Sequence, residues 1–381
     1  MVINHYQGWG GENVGAPKLT KHKLICETLK RQILNGRYTP GARIPPETKL
    51  TERFGASRMT VNRAIKELQM AGYLRRTRGS GTYVLSRQVS ESLLLAIMIP
   101  GLPDAGIYHR LVRSIEETAF SLGYSTILCN ADFSFEKARA YVREMVNHKI
   151  SGILFSPIFT TDDPPKKCMC ENVKLARLFY GNRIPFVCID SMLEGYEPQS
   201  FVIPDNEEAA RSLMTLAISR GHRKCLLLHT ILNSSALLRI KGARNAVEIH
   251  GMNPAHIRLM RLDAFLALKP VRLRRYMDDG VSLLYAMDDL TALQVINHLK
   301  DMGIRIPGDI SLVSHDDLDF AENLCLTTVH QDLEKEGKKA VLAMHKIIRG
   351  EATNIRQLLP SKVIVRKSLG VYNPPGGTRR T

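Results

Sequence analysis

The sequence predicts an α/β chain in two parts: a small helical unit closed by a β-hairpin, then a large unit built of two α/β lobes. Three observations carry this. Residues 21–71 place apolar side chains at helical spacing, and 73–85 read as two short strands around a glycine-rich tip. From Leu93 onward, apolar strands alternate with amphipathic helices. The charge is uneven: residues 18–90 hold 16 Lys and Arg against 4 Glu and no Asp, and so carry most of the net +16.

In the small unit, Leu24, Ile25, Leu29, Ile33 and Leu34 recur along a first helix from Lys21 to Asn35, which Gly36 ends ahead of a Pro40-Gly41 turn. A second helix is expected from Glu47 to Phe54, broken by Gly55. Ser57 then stands where an N-cap belongs, because its hydroxyl can accept from an otherwise unpaired first-turn amide. A third helix runs from Arg58 to about Ala71 and stops at Gly72. Strands at 73–76 and 81–85 flank the tip Thr77-Arg78-Gly79-Ser80. Helix, turn, helix and hairpin in that order make a winged helix over 18–85, with 1–17 read as a disordered leader and 86–92 as a polar linker.

In the large unit the strands are expected at 93–99, 125–129, 151–155, 184–189, 224–229, 281–287 and 310–314, with helices at 107–122, 134–148, 206–219 and 290–302 among those between them. Continuous apolar runs denote strands buried on both faces, hence parallel sheets covered by helices. Roughly 280 residues is large for one such core, which predicts two lobes and a cleft over 93–370, followed by a flexible tail at 371–381. Ligands of open α/β sheets bind beyond the carboxyl ends of the strands. That rule selects Asp104 with Tyr108, Asp190, the 233–239 loop carrying Arg239, Asp288 and Asp316.

Composition excludes other classes. At 44% hydrophobic residues the chain is not disordered, and its longest apolar run, 93–99, is too short for a membrane helix. The N-terminus lacks an apolar core followed by a cleavage site, so the chain is expected to be cytoplasmic. Seven scattered cysteines without a CxxC pair read as reduced structural thiols, and Cys168 with Cys170 are too few to ligate zinc. Neither GxSxG, GxxxxGK[ST] nor HExxH occurs, so the chain is read as no enzyme, and no cofactor or metal is implied.

A basic small unit on a nearly neutral body points to a polyanion-binding module. In a helix-turn-helix the second helix enters the major groove and its first turns meet base edges. Here those turns carry Arg58, Met59, Thr60, Asn62 and Arg63. Arg can grip guanine through two hydrogen bonds and Asn can do the same for adenine, and Arg58 and Asn62 lie one turn apart on one face. At the wing, Arg78, Gly79, Ser80 and Gly81 combine a cation with small residues that let backbone approach phosphate. The run PGARIPPETKLTERFGASRMTVNRAIKELQMAGYLRRTRGSGTYV resembles the winged helix of the GntR family of bacterial regulators. The resemblance implies DNA contacts at Arg58, Thr60 and Asn62 and at Gly79 and Gly81. Pro46, Thr48 and Asn62 depart from the family, which commonly has Ser, Arg and Arg there.

The large unit is similar to the sensor domain of the LacI family of sugar-responsive repressors, on the strength of RSIEETAFSLGYSTILCNAD, IPFVCID, DNEEAARSLMTLAISRGHRK, MDDLTALQVINHL, IPGDISLVSHDDLDF and LTTVHQ. That domain is itself like the periplasmic sugar-binding proteins, and its union with a GntR winged helix resembles the arabinose-repressor subgroup. The resemblance implies a ligand pocket formed by Asp190, Arg239, Asp288 and Asp316, with Tyr108 as a stacking face. Asp288 replaces the more usual Asn. Three carboxylates against one Arg would repel one another when empty, favouring an open cleft and a neutral sugar over a sugar phosphate. The expected function is a homodimer on a palindromic operator in double-stranded DNA, released when a small neutral sugar closes the lobes. Two alternatives stay open: a sugar-binding transport component, and a constitutive DNA-binding protein with a degenerate sensor.

Overall fold

The computed structural model describes residues 21–34, 37–39, 41–70, 73–77, 80–84, 93–102 and 106–373, and the chain divides into one unit up to Glu91 and another from Ser92. The expected leader, the whole of the linker and most of the tail lie outside the described residues, as do Gly36, Pro40, Gly72, Arg78, Gly79 and Asp104.

The first unit has three helices, α1 (Lys21–Leu34), α2 (Glu47–Phe54) and α3 (Arg58–Met70), then the antiparallel strands β1 (Leu74–Thr77) and β2 (Gly81–Val84). Each element falls within about a residue of its predicted span. Ile25 and Leu29 of α1, Leu50 of α2, and Val61, Ile65 and Leu68 of α3 are all buried in one small core. A single bridge from Arg43 to Tyr83 attaches the segment before α2 to the hairpin.

The second unit begins with β3 (Leu94–Ile99), α4 (Ile107–Ser121), β4 (Ser125–Asn130), α5 (Phe135–Asn147), β5 (Gly152–Phe155), α6 (Pro165–Gly181), β6 (Phe186–Ile189) and β7 (Ser200–Pro204). It continues with α7 (Asn206–Ser219), β8 (Lys224–His229), α8 (Ser234–Ile249), β9 (Ile257–Arg261), α9 (Leu262–Leu266), α10 (Pro270–Asp278), β10 (Val281–Ala286), α11 (Asp289–Asp301), β11 (Ser311–Asp316), α12 (Asp319–Asn323) and β12 (Thr327–His330). Helix α13 (Leu333–Ile348) and strands β13 (Arg356–Leu359) and β14 (Lys362–Ile364) close it.

Two six-stranded sheets result. The first lobe orders its strands β13-β7-β6-β5-β3-β4, all parallel, and the second β14-β12-β11-β10-β8-β9, parallel except for the β12–β14 pair. The chain passes between lobes three times: after β7, after β12 and after β13. Each sheet is covered on both faces. In β3, Ala96 and Met98 join one core while Leu95, Ile97 and Ile99 join another, the alternation a pleated strand imposes. Strands β10 and β11 are buried along their whole length, which explains their unbroken apolar reading. The α7–α8 contact is close enough that a Cβ on Gly242 would lie 2.0 Å from the Glu207 carbonyl oxygen.

Several elements have no counterpart in the sequence reading, among them α6, β9, α10 and α13. Their burying faces are narrow or interrupted. Helix α6 buries Cys168, Asn172, Leu175, Ala176 and Phe179, a stripe that includes a polar residue. Helix α10 buries only Leu273 fully and carries Arg272, Arg274 and Arg275. No helix among the described residues is long and apolar enough to cross a membrane.

Candidate functional site

Gly55, in the left-handed region, closes α2, and two residues later Ser57 Oγ accepts from the Thr60 amide at 3.2 Å and meets Thr60 Oγ1 at 2.8 Å. The predicted cap is therefore present, and it engages the Thr60 hydroxyl that the sequence reading assigned to DNA. With α3 so oriented, Val61, Ala64, Ile65 and Leu68 face the core while Arg58, Met59 and Arg63 stand exposed, Met59 at 83%. Arg58, Met59, Asn62, Arg63, Lys66 and Glu67 line one open groove along the helix. Asn62 Oδ1 is buried with no hydrogen-bond partner among the described residues. Asn62 is half-buried beside this basic face, and its side-chain amide has the chemistry to read a base edge once it turns outward.

At the hairpin, Ser80 does not offer a free hydroxyl: its Oγ lies 2.6 Å from Tyr83 Oη, which also donates to the Ser80 carbonyl at 3.1 Å. Gly81 has φ +128°, and a Cβ there would approach Arg43 Nε to 2.4 Å. Its small size thus already has an internal reason, seating the Arg43 side chain.

In the second unit the strand ends converge as the crevice rule predicts. Asp190 follows β6 and Asp316 ends β11, both at positive φ, +61° and +112°, a conformation unusual for non-glycine residues. Asp190 Oδ2 accepts from Tyr108 Oη at 3.0 Å, Ser191 Oγ at 3.2 Å and Ser156 Oγ at 3.3 Å, while its amide donates to Glu336 Oε1 at 2.6 Å. Across the cleft, Arg239 Nη2 lies 3.5 Å from Asp316 Oδ1, Arg239 Nε donates to Asn206 Oδ1 at 2.7 Å, and Nη1 donates to the Met287 carbonyl. Gln331 Nε2 completes the shell of Asp316. The lobes meet here too, Ser235 Oγ donating to the Asp190 carbonyl at 2.9 Å and the Met192 amide to Ser234 Oγ at 3.0 Å.

A cavity of about 330 Å³ occupies this cleft. Tyr108, Asp288 and Asp316 are on its wall, while Asp190 and Arg239 stand behind it, tied to Tyr108 and Asp316 respectively. Burial raises the Asp190 carboxyl above its ordinary range, against the pull of the Arg239 charge. Burial raises Asp316 further, with the Asp289, Asp288 and Asp190 charges adding to the shift and Arg239 opposing it. Tyr108 is likewise raised, by burial and by the charge of Asp190.

Two expectations need correction. Arg239 is not on a loop: Asn233 Oδ1 caps α8 at the Ala236 amide, and the helix that follows carries Arg239 inward, 6% exposed. Its guanidinium is spent on Asn206, Met287 and Asp316 rather than presented as a free fork. Nor are the three carboxylates bare across an open gap, although the Asp288 and Asp190 charges do act on Asp316. Asp288 is the N-cap of α11, accepting from the Thr291 amide at 2.6 Å and Thr291 Oγ1 at 3.0 Å, and Asp190 is satisfied by three hydroxyls. The departure from Asn at 288 therefore preserves a helix cap, which either residue can provide.

Residues 22–84 match the family described as bacterial regulatory proteins, gntR family, and residues 215–369 match the periplasmic binding protein-like domain. The chain is a transcriptional regulator that joins a gntR-type helix-turn-helix to a periplasmic-binding-protein-like domain. Its second unit is a periplasmic-binding-protein-like domain rather than a catalytic one. It is 25% identical over 342 residues to the arabinose metabolism transcriptional repressor of Geobacillus stearothermophilus, covering 87% of this chain and 92% of the relative. In fold it is similar to a periplasmic binding protein/LacI transcriptional regulator from Alkaliphilus metalliredigens complexed with D-xylulofuranose (TM-score 0.60, 21% identity, 73% of this chain and 99% of that one). It is also similar to a LacI family transcriptional regulator from Enterococcus faecium with bound ribose (TM-score 0.59, 20% identity, 74% and 100%).

Other residues of the α3 groove and of the cleft escape a sequence reading. Lys66 shares the α3 groove and follows Asn62 by one turn, so its spacing could have signalled it. Phe133 and Phe159 line the cleft. Asp132 and Phe133 both have positive φ, +51° and +55°, and Phe133 packs so close to Gly101 that a Cβ there would lie 2.3 Å from Phe133 Cε2. A bulky residue held in that backbone region over a cleft is an outlier with a purpose to be found. Two buried acids are further surprises. Asp289 accepts from Ser314 Oγ, the Leu318 amide and Thr328 Oγ1, and burial pushes its carboxyl up to about 6. Glu336, brought from α13, lies under Asp190 with its carboxyl raised by burial and by the Asp190 charge. In sequence neither differs from an ordinary helix-start acid.

Proposed function

We propose that this regulator is a cytoplasmic repressor of carbohydrate-utilisation genes that binds double-stranded operator DNA as a homodimer and is released by a small neutral saccharide. The observation that carries the reading is the cleft wall itself: carboxylates and a tyrosine hydroxyl set among Phe133, Phe159 and Ile231, with Asp316 braced by a buried Arg. Saccharides need that mixture, acceptors and donors for hydroxyls and an aromatic face for C–H groups. Phe133 is the better stacking platform, since it is exposed in the cleft while Tyr108 is partly buried. The arabinose repressor relative and the two pentose-bearing neighbours in fold support the ligand class. An anionic ligand would meet Asp288 and Asp316, while the Arg239 guanidinium behind the wall is already spent.

DNA contacts fall to Arg58, Asn62, Arg63 and Lys66 on α3, with the wing closing on phosphate. Ligand binding in the cleft would stabilise one arrangement of the lobes and shift the dimer to a state that no longer fits the operator. The decisive measurement follows operator release by fluorescence anisotropy and thermal stability together, against neutral sugars, sugar phosphates and uronates. A live sensor gains RT ln(1 + [L]/Kd) from the right ligand. Release and stabilisation by a phosphate or uronate, with no response to neutral sugars, would overturn the ligand class. No response to any would favour constitutive DNA binding with a silent domain.

A further inference from the structure

We propose that the cleft has a second saccharide subsite at its β8–β9 edge, centred on His229, so that the effector is a neutral disaccharide or longer glycoside rather than a monosaccharide; this rests on the saccharide reading above. A smaller cavity of about 190 Å³, with His229, Arg261, Asp263, Leu266 and Thr161 on its walls, adjoins the main cavity across the shared residues Thr230 and Gln294. His229 ends β8, is 8% exposed, and its Nδ1 is buried with no partner among the described residues. An imidazole nitrogen left so is costly unless something completes it. Burial and the Arg261 charge lower its pKa, so the ring is neutral at pH 7 and offers one donor and one acceptor. That pairing suits a hydroxyl, which itself both donates and accepts.

The neighbouring charges cancel. Arg261 Nε and Nη2 both donate to the Asp263 carboxylate, at 3.1 and 3.0 Å, so the pair presents polar edges without net charge. Leu262 and Leu266 add an apolar patch fit for the C–H face of a sugar ring. The opposite extension of the cleft, which shares Phe133 and Ile231 with the main cavity, does not compete. Its wall is net acidic, with Asp132 and Asp162 present beyond the ion pairs Arg139–Glu171 (2.9 Å) and Lys167–Asp163 (2.6 Å), which suits a neutral ring less well.

The test is calorimetric titration of the full chain with matched pairs: xylose and xylobiose, arabinose and arabinobiose, glucose and cellobiose, galactose and galactobiose. In one pair the disaccharide is expected to bind about tenfold tighter or more, as one well-made extra hydrogen bond provides. His229→Phe keeps the ring and removes both nitrogens, and Arg261→Gln, at a half-exposed position, changes the same subsite without disturbing the core. Each should remove the disaccharide's advantage and leave the monosaccharide's affinity as in the wild type. Equal affinity within every pair overturns the second subsite and leaves the saccharide reading standing, as does an equal loss for both partners in Arg261→Gln. Failure of every neutral saccharide to bind overturns both.

Discussion

Replacing Arg239 with Ala should damage stability before it damages ligand response. Arg239 is 6% exposed and makes three contacts, with Asn206 Oδ1, the Met287 carbonyl and Asp316 Oδ1. Truncation leaves two buried acceptors without their donor, at about 1–3 kcal/mol each, and strips a buried carboxylate of its counter-charge. Breaking a buried pair from one side costs about 3–5 kcal/mol, and since these losses overlap, roughly 4 kcal/mol is the expected total. For a domain of this size that corresponds to a fall in Tm on the order of 10 °C. Differential scanning calorimetry of the wild type, Arg239→Ala, Asp316→Asn and the double variant would measure it. In the Asp316→Asn background no bare carboxylate remains, so the same truncation should cost less there. Acidification should do the same: the raised carboxyl of Asp316 rises further without Arg239, and its protonation as pH falls relieves the penalty. A Tm within about 2 °C of wild type, or an equal cost in both backgrounds, would refute the account of Arg239 as the brace of Asp316.

Arg58→Ala should weaken specific operator binding by about 1–3 kcal/mol per half-site with ligand response intact, checked by fluorescence anisotropy at fixed salt; unchanged affinity would remove Arg58 from the base contacts. Gly242→Ala puts a Cβ 2.0 Å from the Glu207 carbonyl oxygen and 3.0 Å from the Arg211 amide nitrogen, so α7 and α8 must separate at a cost of about 1–3 kcal/mol or more. A wild-type melting curve would show that the helices slide without penalty. Asp289 has a folded-state pKa of about 6, above its unfolded value, so the folded state binds its proton more tightly and this group adds stability as pH falls through 6. The stability of the wild type relative to Asp289→Asn should therefore rise between pH 7 and pH 4, as read by chemical denaturation; a pH-independent difference would mean the carboxyl titrates normally.

Much was legible in the sequence because it depends on local chemistry. The apolar spacing in 21–34, the Ser57 cap and the glycine stop at 55 are consequences of helix geometry and orphan amides, and the winged helix follows from them almost residue for residue. The unbroken runs of β10 and β11 declared strands buried on both faces, and the strand-end rule then located Asp190 and Asp316. The three-dimensional arrangement decided which side chains are free to act. Thr60 and Ser80 have the right chemistry for DNA, but neighbours three residues away already hold their hydroxyls. Arg239 looks like a presented fork until α8 turns it inward against Asn206, a residue 33 positions away. Glu336 joins Asp190 from 146 positions away because the chain returns to the first lobe after β12, and no local pattern can announce that. Burial, which sets both the carboxyl pKa values and the orphaned nitrogen of His229, is a property of what packs around a group. It exists only once the two sheets have closed over their cores and brought the strand ends face to face.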